Sequence, residues 1–321
     1  MKLAFVFPGQ GSQAIGMLDS IATRPEVAAL VAEADAALGE SLSGLIAGGP
    51  AESLALTVNT QPAMLLAGLA CYRAWRAAGG PDAEAVAGHS LGEYTALTAA
   101  GSFQPGAALR LVRLRAQAMQ EAVPVGSGGM AAILGLDDEQ VIAACRQATA
   151  SFAGQVPTVP GVPDIVEPAN FNAPSQVVIA GSKAAVERAC EVAKSLGAKR
   201  AMALPVSAPF HSSLLRPAGE RLAIALRDTV PVAPRMPLVN NVDVAVQTDP
   251  AAIVDALVRQ SYSPVRWVEV VRRLESMGIT RLVEFGPGKV LSGLVKRIAP
   301  GLQVTAVTDA ASLEAALQEL A

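Results

Sequence analysis

The stretch Val86-Ala87-Gly88-His89-Ser90-Leu91-Gly92-Glu93-Tyr94 constrains this chain more than any other. An apolar run leads into G-x-S-x-G, and a helix-compatible run, Tyr94 to Ala100, follows. Strand, tight turn and helix in that order are the context of a nucleophile elbow. Gly88 and Gly92 let the strand and helix backbones pass close together. Ser90 is left at the apex with its hydroxyl exposed. Helix-start N–H groups nearby can face a developing oxyanion. A bare G-x-S-x-G also occurs by chance as a serine in a Gly-rich turn. The flanking strand and helix favour the nucleophile.

The 321 residues allow one large domain, with or without an insert. Hydrophobic residues make up 51%, ample for a core. A formal net charge of −3 with no basic block argues against nucleic acid as a partner. Cys71, Cys145 and Cys190 are far apart, odd in number and without metal-ligand spacing, as expected of buried thiols in a reducing cytoplasm. Leu3 to Phe7 is apolar, but Pro8-Gly9 ends it too early for a signal-peptide core. The apolar stretch near Ala63 to Cys71 is too short to span a bilayer. A cytoplasmic protein with no membrane partner is expected.

Leu3 to Phe7 has the continuous apolarity of a strand buried on both faces. Gly9, Gly11 and Ala14 after it also satisfy a dinucleotide fingerprint, G-x-G-x-x-A. That fingerprint needs an acidic residue at the end of a second strand about 20 residues on. Glu33 and Asp35 instead lie in Pro25 to Leu38, a segment with helical spacing. The alternative is a Gln10 loop beside the elbow that offers a backbone N–H to the oxyanion. Ala63 to Ala77 is a long helical pattern, with Asn59 or Thr60 as cap and Pro62 in its first turn. Gln61 is then an ordinary polar residue at a helix start.

Pro105 to Ala122 has helical spacing. At about 100° per residue, Arg110, Arg113, Gln117, Gln120 and Glu121 share a polar face. Arg115 falls opposite them, between Leu111 and Met119. A guanidinium left unpaired in a core costs about several kcal/mol, so it needs a carboxylate, from the protein or from a ligand, unless it snorkels out. The sequence has two histidines. His89 adjoins Ser90 at a sharp turn and should point away from the hydroxyl. His211, in Ser207-Ala208-Pro209-Phe210-His211-Ser212, is therefore the candidate base.

Between Gly126 and Ser207 the elements follow the order β-α-β-β-α-β. They are Met130 to Leu134, a helix capped by Asp137 or Asp138, an extended piece at Phe171, Gln176 to Ala180, a helix capped by Ser182, and Arg200 to Val206. That is the order of a ferredoxin-like unit. Gln155 to Pro168, with four prolines, reads as a surface loop. Elsewhere strands and helices alternate, which implies a largely parallel sheet covered on both faces. Gly286-Pro287-Gly288-Lys289 lacks the spacing of a P-loop.

Taken together, several stretches resemble the malonyl-CoA:acyl carrier protein transacylase family, acyltransferases of fatty-acid and polyketide synthesis. They are Phe7-Pro8-Gly9-Gln10-Gly11-Ser12-Gln13, Thr60-Gln61-Pro62-Ala63 and Gly88 to Tyr94, then Arg115, Val206 to Ser212, Asn240-Asn241-Val242 and Gln260. Pro264-Val265-Arg266-Trp267 and Glu284 to Leu291 complete the set. The resemblance implies an α/β fold: an α/β-hydrolase-like large domain with a mostly parallel sheet at 1–125 and 207–321, and an inserted ferredoxin-like small domain at 126–206. It implies Ser90 as nucleophile, His211 as base, and Gln10 and Leu91 backbone N–H groups as the oxyanion hole. Each hole donor is worth about 3 kcal/mol or more. Arg115 would hold the malonyl carboxylate, and Gln260 would orient His211 through a main-chain carbonyl. Gln61, Phe210 and Asn240 would line the substrate, with the Phe210 ring leaving little room for an α-methyl branch. Lys199, Arg200, Lys296 and Arg297 would form a basic rim for an acidic carrier, the alternative being ordinary solvated charges. The resemblance implies malonyl-CoA as donor, holo acyl carrier protein as acceptor, ping-pong kinetics, no bound cofactor or metal, and a monomer. A serine thioesterase acting on the same thioesters is the alternative; it would need an acid near His211, from the region of Asp137, Asp138 or Asp164.

Overall fold

The computed structural model describes residues 2–206 and 208–320. Its strands are β1 (Leu3–Phe7), β2 (Ala85–Gly88), β3 (Gly128–Leu134), β4 (Val166–Ala173), β5 (Gln176–Ser182), β6 (Arg200–Ala203), β7 (Leu238–Val239), β8 (Val246–Gln247), β9 (Arg281–Phe285) and β10 (Gln303–Val307). They form two sheets. One runs β10-β9-β1-β2-β7-β8 and is parallel except for the β7–β8 pair at its edge. The other runs β4-β5-β3-β6 and is antiparallel throughout.

Alternation along β1 explains how the large sheet is covered. Successive side chains of a strand point to opposite faces. Leu3, Phe5 and Phe7 pack with the helices Pro25–Leu38, Thr57–Ala77 and Pro105–Glu121, while Ala4 and Val6 pack with Trp267–Ser276 and Val290–Ile298. Phe5 meets Phe285 edge-on at 5.1 Å and Tyr72 at 5.7 Å. Each fully buried ring contributes about 1.5–3 kcal/mol, which makes β1 a rigid base for the loop that follows it.

In the antiparallel sheet the chain runs β3, helix Asp138–Ala150, β4, β5, helix Lys183–Ser195, β6. Asp137 caps the first helix with a full capping box, its carboxylate accepting from Gln140 N at 2.8 Å. Ser182 caps the second. Valines and alanines from both helices fill a separate core against Ala131, Ile133, Val177 and Ile179.

Several boundaries differ from the sequence reading. The helix expected from Ala63 begins at Thr57, so Asn59 and Thr60 are inside it and Pro62 is an interior proline. Asn59 N and Thr60 N both donate to Leu56 O, and Thr60 Oγ1 donates to Leu54 O at 2.6 Å, so the turn is closed before Pro62 is reached. β6 ends at Ala203 rather than Val206, because Pro205 has no N–H to continue a ladder. The last residues of the Pro-rich segment, Val166 to Pro168, are strand rather than loop. Pro168 is tolerated there because β4 is an edge strand and shifts register at that point. The rest of the segment is pinned by Asp164, which accepts from Thr158 N, Thr158 Oγ1 and Ser182 Oγ. Ser207, where the large domain is expected to resume, lies outside the described residues. Among the described residues no helix is long and apolar enough to cross a membrane, and no three or more His, Cys, Asp or Glu side chains are grouped to hold a metal ion.

Candidate active site

β2 ends at Gly88 and the helix Leu91–Ala99 begins just past Ser90. A Cβ on Gly88 would lie 1.9 Å from Gly92 C, and one on Gly92 would lie 2.0 Å from Phe7 O. Only glycines allow this crossing, and it also brings the loop after β1 against the elbow. Ser90 sits at φ 53° and ψ −111°, a strained backbone for a residue with a Cβ. An amide side chain holds it there. Asn241 Oδ1 accepts from Ser90 N at 2.8 Å, and Asn241 Nδ2 donates to Gly88 O at 2.7 Å.

His211, which is 4% exposed, is also strained, at φ 62°. Its Nε2 lies 2.7 Å from Ser90 Oγ, and its Nδ1 lies 2.8 Å from the main-chain oxygen of Gln260. A carbonyl only accepts, so the proton sits on Nδ1 and Nε2 is free to accept from the serine. Burial, then the nearby Arg115 charge, pushes the His211 pKa down to about 3. The imidazole is therefore neutral at neutral pH, with Nε2 free of a proton. His89 turns away from the hydroxyl: its Nε2 meets Asn172 Oδ1 at 2.8 Å, and its ring packs on Trp267.

Arg115 is 2% exposed. Nη1 donates to Gln61 Oε1 at 2.7 Å, and Nη2 donates to Gln260 Oε1 at 2.9 Å and Ser90 Oγ at 3.2 Å. The guanidinium lies 5.2 Å from the centre of the Tyr94 ring. Among the described residues it forms no ion pair, and its buried Nε has no partner. The carboxylate that its helix position demands is not supplied by any of the described residues.

A cavity of about 150 Å³ opens at this point, with Ser90, His211, Arg115, Gln10, Gln61 and Leu91 on its polar side. Met119, Met130, Leu204, Val206 and Phe210 make the apolar side. Gln61 is thus a partner of Arg115 rather than an ordinary helix-start polar residue. Asn240 is turned away: it is wholly buried, and its Oδ1 accepts from Asp243 N at 2.8 Å in a tight turn. The next residue, Asn241, does the work at the elbow. Lys199, Arg200, Lys296 and Arg297 are exposed and do not line the cavity. Arg297 instead ties its helix to the turn before β5, through Gln176 Oε1 and Pro174 O.

Sequence reasoning gave no role to Asn241, Glu93, Met119 or Met130. Met119 had a signal, since it lies four residues from Arg115 and so shares its helix face. Glu93 is wholly buried, with Oε2 accepting from Asn241 N at 2.9 Å and Gln260 Nε2 at 3.1 Å. Burial raises its pKa to about 7.

Residues 4–303 match the family described as acyl transferase domain. The chain is 51% identical over 319 residues to a malonyl CoA-acyl carrier protein transacylase of Salmonella typhimurium, covering 99% of each chain. It is 45% identical to the Bacillus subtilis protein of that name over 321 residues, 99% of this chain and 97% of the relative. Among solved structures, an acyl-carrier-protein S-malonyltransferase from Burkholderia pseudomallei superposes with a TM-score of 0.94 at 58% identity, over 99% of this chain and 100% of that one. A malonyl-transacylase solved in complex with its type II PKS acyl-carrier protein superposes with a TM-score of 0.93 at 48% identity, again over 99% and 100%.

Proposed function

The chain belongs to the acyl transferase domain family, and we propose that it moves a malonyl group from malonyl-CoA to the phosphopantetheine thiol of holo acyl carrier protein, with Ser90 carrying the group in between. Ser90 Oγ attacks the thioester carbonyl while His211 Nε2 takes its proton. The oxyanion forms against the Gln10 and Leu91 N–H groups. The C–S bond breaks, His211 returns the proton to the CoA sulfur, and malonyl-Ser90 remains. The carrier thiol then attacks the ester, His211 takes the thiol proton, and Ser90 Oγ recovers it as the ester breaks. No step calls on a metal or a bound cofactor. The polyketide carrier in one solved relative leaves both fatty-acid and polyketide carriers as acceptors for this reading.

The observation that carries it is a buried guanidinium with no carboxylate partner among the described residues, 3.2 Å from Ser90 Oγ. A donor with a free carboxylate three carbons long suits that placement, and an acyl hydrolase for neutral chains has no use for it. The thioesterase reading is further disfavoured because His211 Nδ1 meets a main-chain carbonyl, not an acid. Asp137 caps a helix, and Asp164 holds a loop.

In this reading the parallel sheet and its helices, 1–125 and 207–321, are a hydrolase-like catalytic domain. Residues 126–206, whose strand order β4-β5-β3-β6 suits a ferredoxin-like unit, close one side of the cleft through Met130, Leu204 and Val206. All the named catalytic residues come from one chain, so a monomer suffices. The exposed Lys199, Arg200, Lys296 and Arg297 would meet an acidic carrier outside the cavity.

Mass spectrometry after mixing with malonyl-CoA tests the proposal. A malonyl adduct on Ser90, lost in Ser90→Ala and discharged by holo carrier protein, is expected. Free malonate as the dominant product with carrier present would replace this reading with the thioesterase.

A further inference from the structure

Three parts of the site converge on one amide. Gln260 gives its main-chain oxygen to His211 Nδ1 and its side-chain oxygen to Arg115 Nη2. The main-chain oxygen is held by the helix Pro250–Gln260, but the side chain needs its own support. The amide nitrogen has two hydrogens. It donates to Ser90 O at 3.0 Å and to Glu93 Oε2 at 3.1 Å, with Asn241 Oδ1 farther off at 3.5 Å. These partners accept, and Arg115 donates. The amide therefore has one orientation that satisfies all of them; turned over, it would face a guanidinium with its own N–H groups.

Glu93 is the only acid in this set. It comes from the first turn of the elbow helix and is wholly buried. The same oxygen that takes the Gln260 N–H also takes Asn241 N, and the Asn241 side chain holds Ser90 N. The carboxyl does not touch Arg115, so the guanidinium is left open to a ligand.

We propose that Glu93 is a positioning residue for donor selection: by fixing the Gln260 amide, it holds Arg115 where the malonyl carboxylate lands. This rests on the malonyl-transfer reading above. Acting through Arg115, Glu93 governs the choice between malonyl and acetyl donors more than the acyl-transfer chemistry, because His211 is oriented by the main chain of Gln260 and not by its side chain.

The experiment compares kcat/KM for malonyl-CoA and acetyl-CoA in the native enzyme, E93A, E93Q and Q260L, using the full chain and holo carrier protein. Glutamine at 93 can still accept both N–H groups through its oxygen; alanine cannot. E93A is expected to lower the malonyl-to-acetyl ratio by about tenfold or more, the scale of a lost hydrogen bond in a charged network, mainly through the KM for malonyl-CoA. E93Q is expected to recover most of that ratio. Q260L, which keeps the main-chain oxygen, should reproduce the E93A ratio, and it carries the test if E93A does not fold. A parallel fall for both donors in E93A or Q260L would overturn the proposal, as would an E93Q ratio no better than that of E93A. A native enzyme that transfers neither donor would instead overturn the malonyl-transfer reading itself.

Discussion

Arg115 Nη2 donates to Ser90 Oγ at 3.2 Å, the same oxygen that His211 Nε2 meets at 2.7 Å. In the proposed reaction this places Ser90 between a base that would remove its proton and a cation that would stabilise the negative charge it gains. The cation is held by two neutral amides, Gln61 and Gln260, rather than by an acid. A direct ion pair would neutralise it and, in the proposed function, occupy the position a donor's carboxylate would need. In the proposed function this arrangement would tie donor recognition to the reacting atom.

Removing the guanidinium separates recognition from chemistry. Arg115→Ala should lower kcat/KM for malonyl-CoA by roughly 100-fold, the scale of a charge-assisted hydrogen-bonded pair, with acetyl-CoA gaining relative to it. Steady-state assays with both donors check this. Equal losses would assign Arg115 a structural role only.

The depressed His211 pKa fixes the acid side of the pH profile. Because its folded value is about 3, the neutral base persists as pH falls from 7 to about 5, where a free histidine with a pKa of about 6.5 is mostly protonated. Single-turnover malonylation of Ser90 should stay level across that window. A limb centred near 6.5 would contradict the geometry. The unfolded chain does take up that proton, so His211 contributes a loss of stability as pH drops below about 6.5. Glu93 has the opposite sign: its folded value of about 7 lies above its ordinary value of 4.5, so its contribution to stability declines as pH rises between the two.

The elbow glycines should tolerate no side chain. Gly88→Ala or Gly92→Ala drives a Cβ into backbone and should cost about 3 kcal/mol or more, with loss of Ser90 reactivity. Gly293, on the exposed face of the helix Val290–Ile298 with open space around its Cβ position, is the control. Gly293→Ala should gain about 0.5–1 kcal/mol. Denaturant midpoints measure both.

Thiol reagents should leave the native enzyme active. Burial pushes the Cys71 and Cys145 thiols up to about 12 and raises that of half-buried Cys190. None of the three lines the cavity. Iodoacetamide at neutral pH should modify the native protein slowly and inactivate it only after unfolding.

Much of this molecule was legible before folding because it is local. The apolar run at Leu3–Phe7, the Gly-x-Ser-x-Gly crossing, the Asp137 and Ser182 caps and the helical phase of Arg115 depend on residues within a few positions of each other. The phase even posed the right question, since it put a charge on an oily face and demanded a carboxylate. It could not say whether an acid of the fold meets that demand. That answer needs the positions of every acid in the fold, and those are set by chain pairings hundreds of residues apart. The same holds for Asn240 and Asn241. Adjacent and identical in type, they carry no sequence signal to say which one crosses to Ser90 N and which one closes a turn on Asp243. By spacing alone Gln61 is a helix-start residue; the resemblance puts it in the site, and the structure pairs its amide with Arg115. Local sequence determined the elements and the nucleophile's turn, since steric and capping rules act over a few bonds. Tertiary structure alone decided which polar groups meet inside the cleft, since a buried hydrogen bond requires both partners to be delivered to within about 3 Å by separate elements.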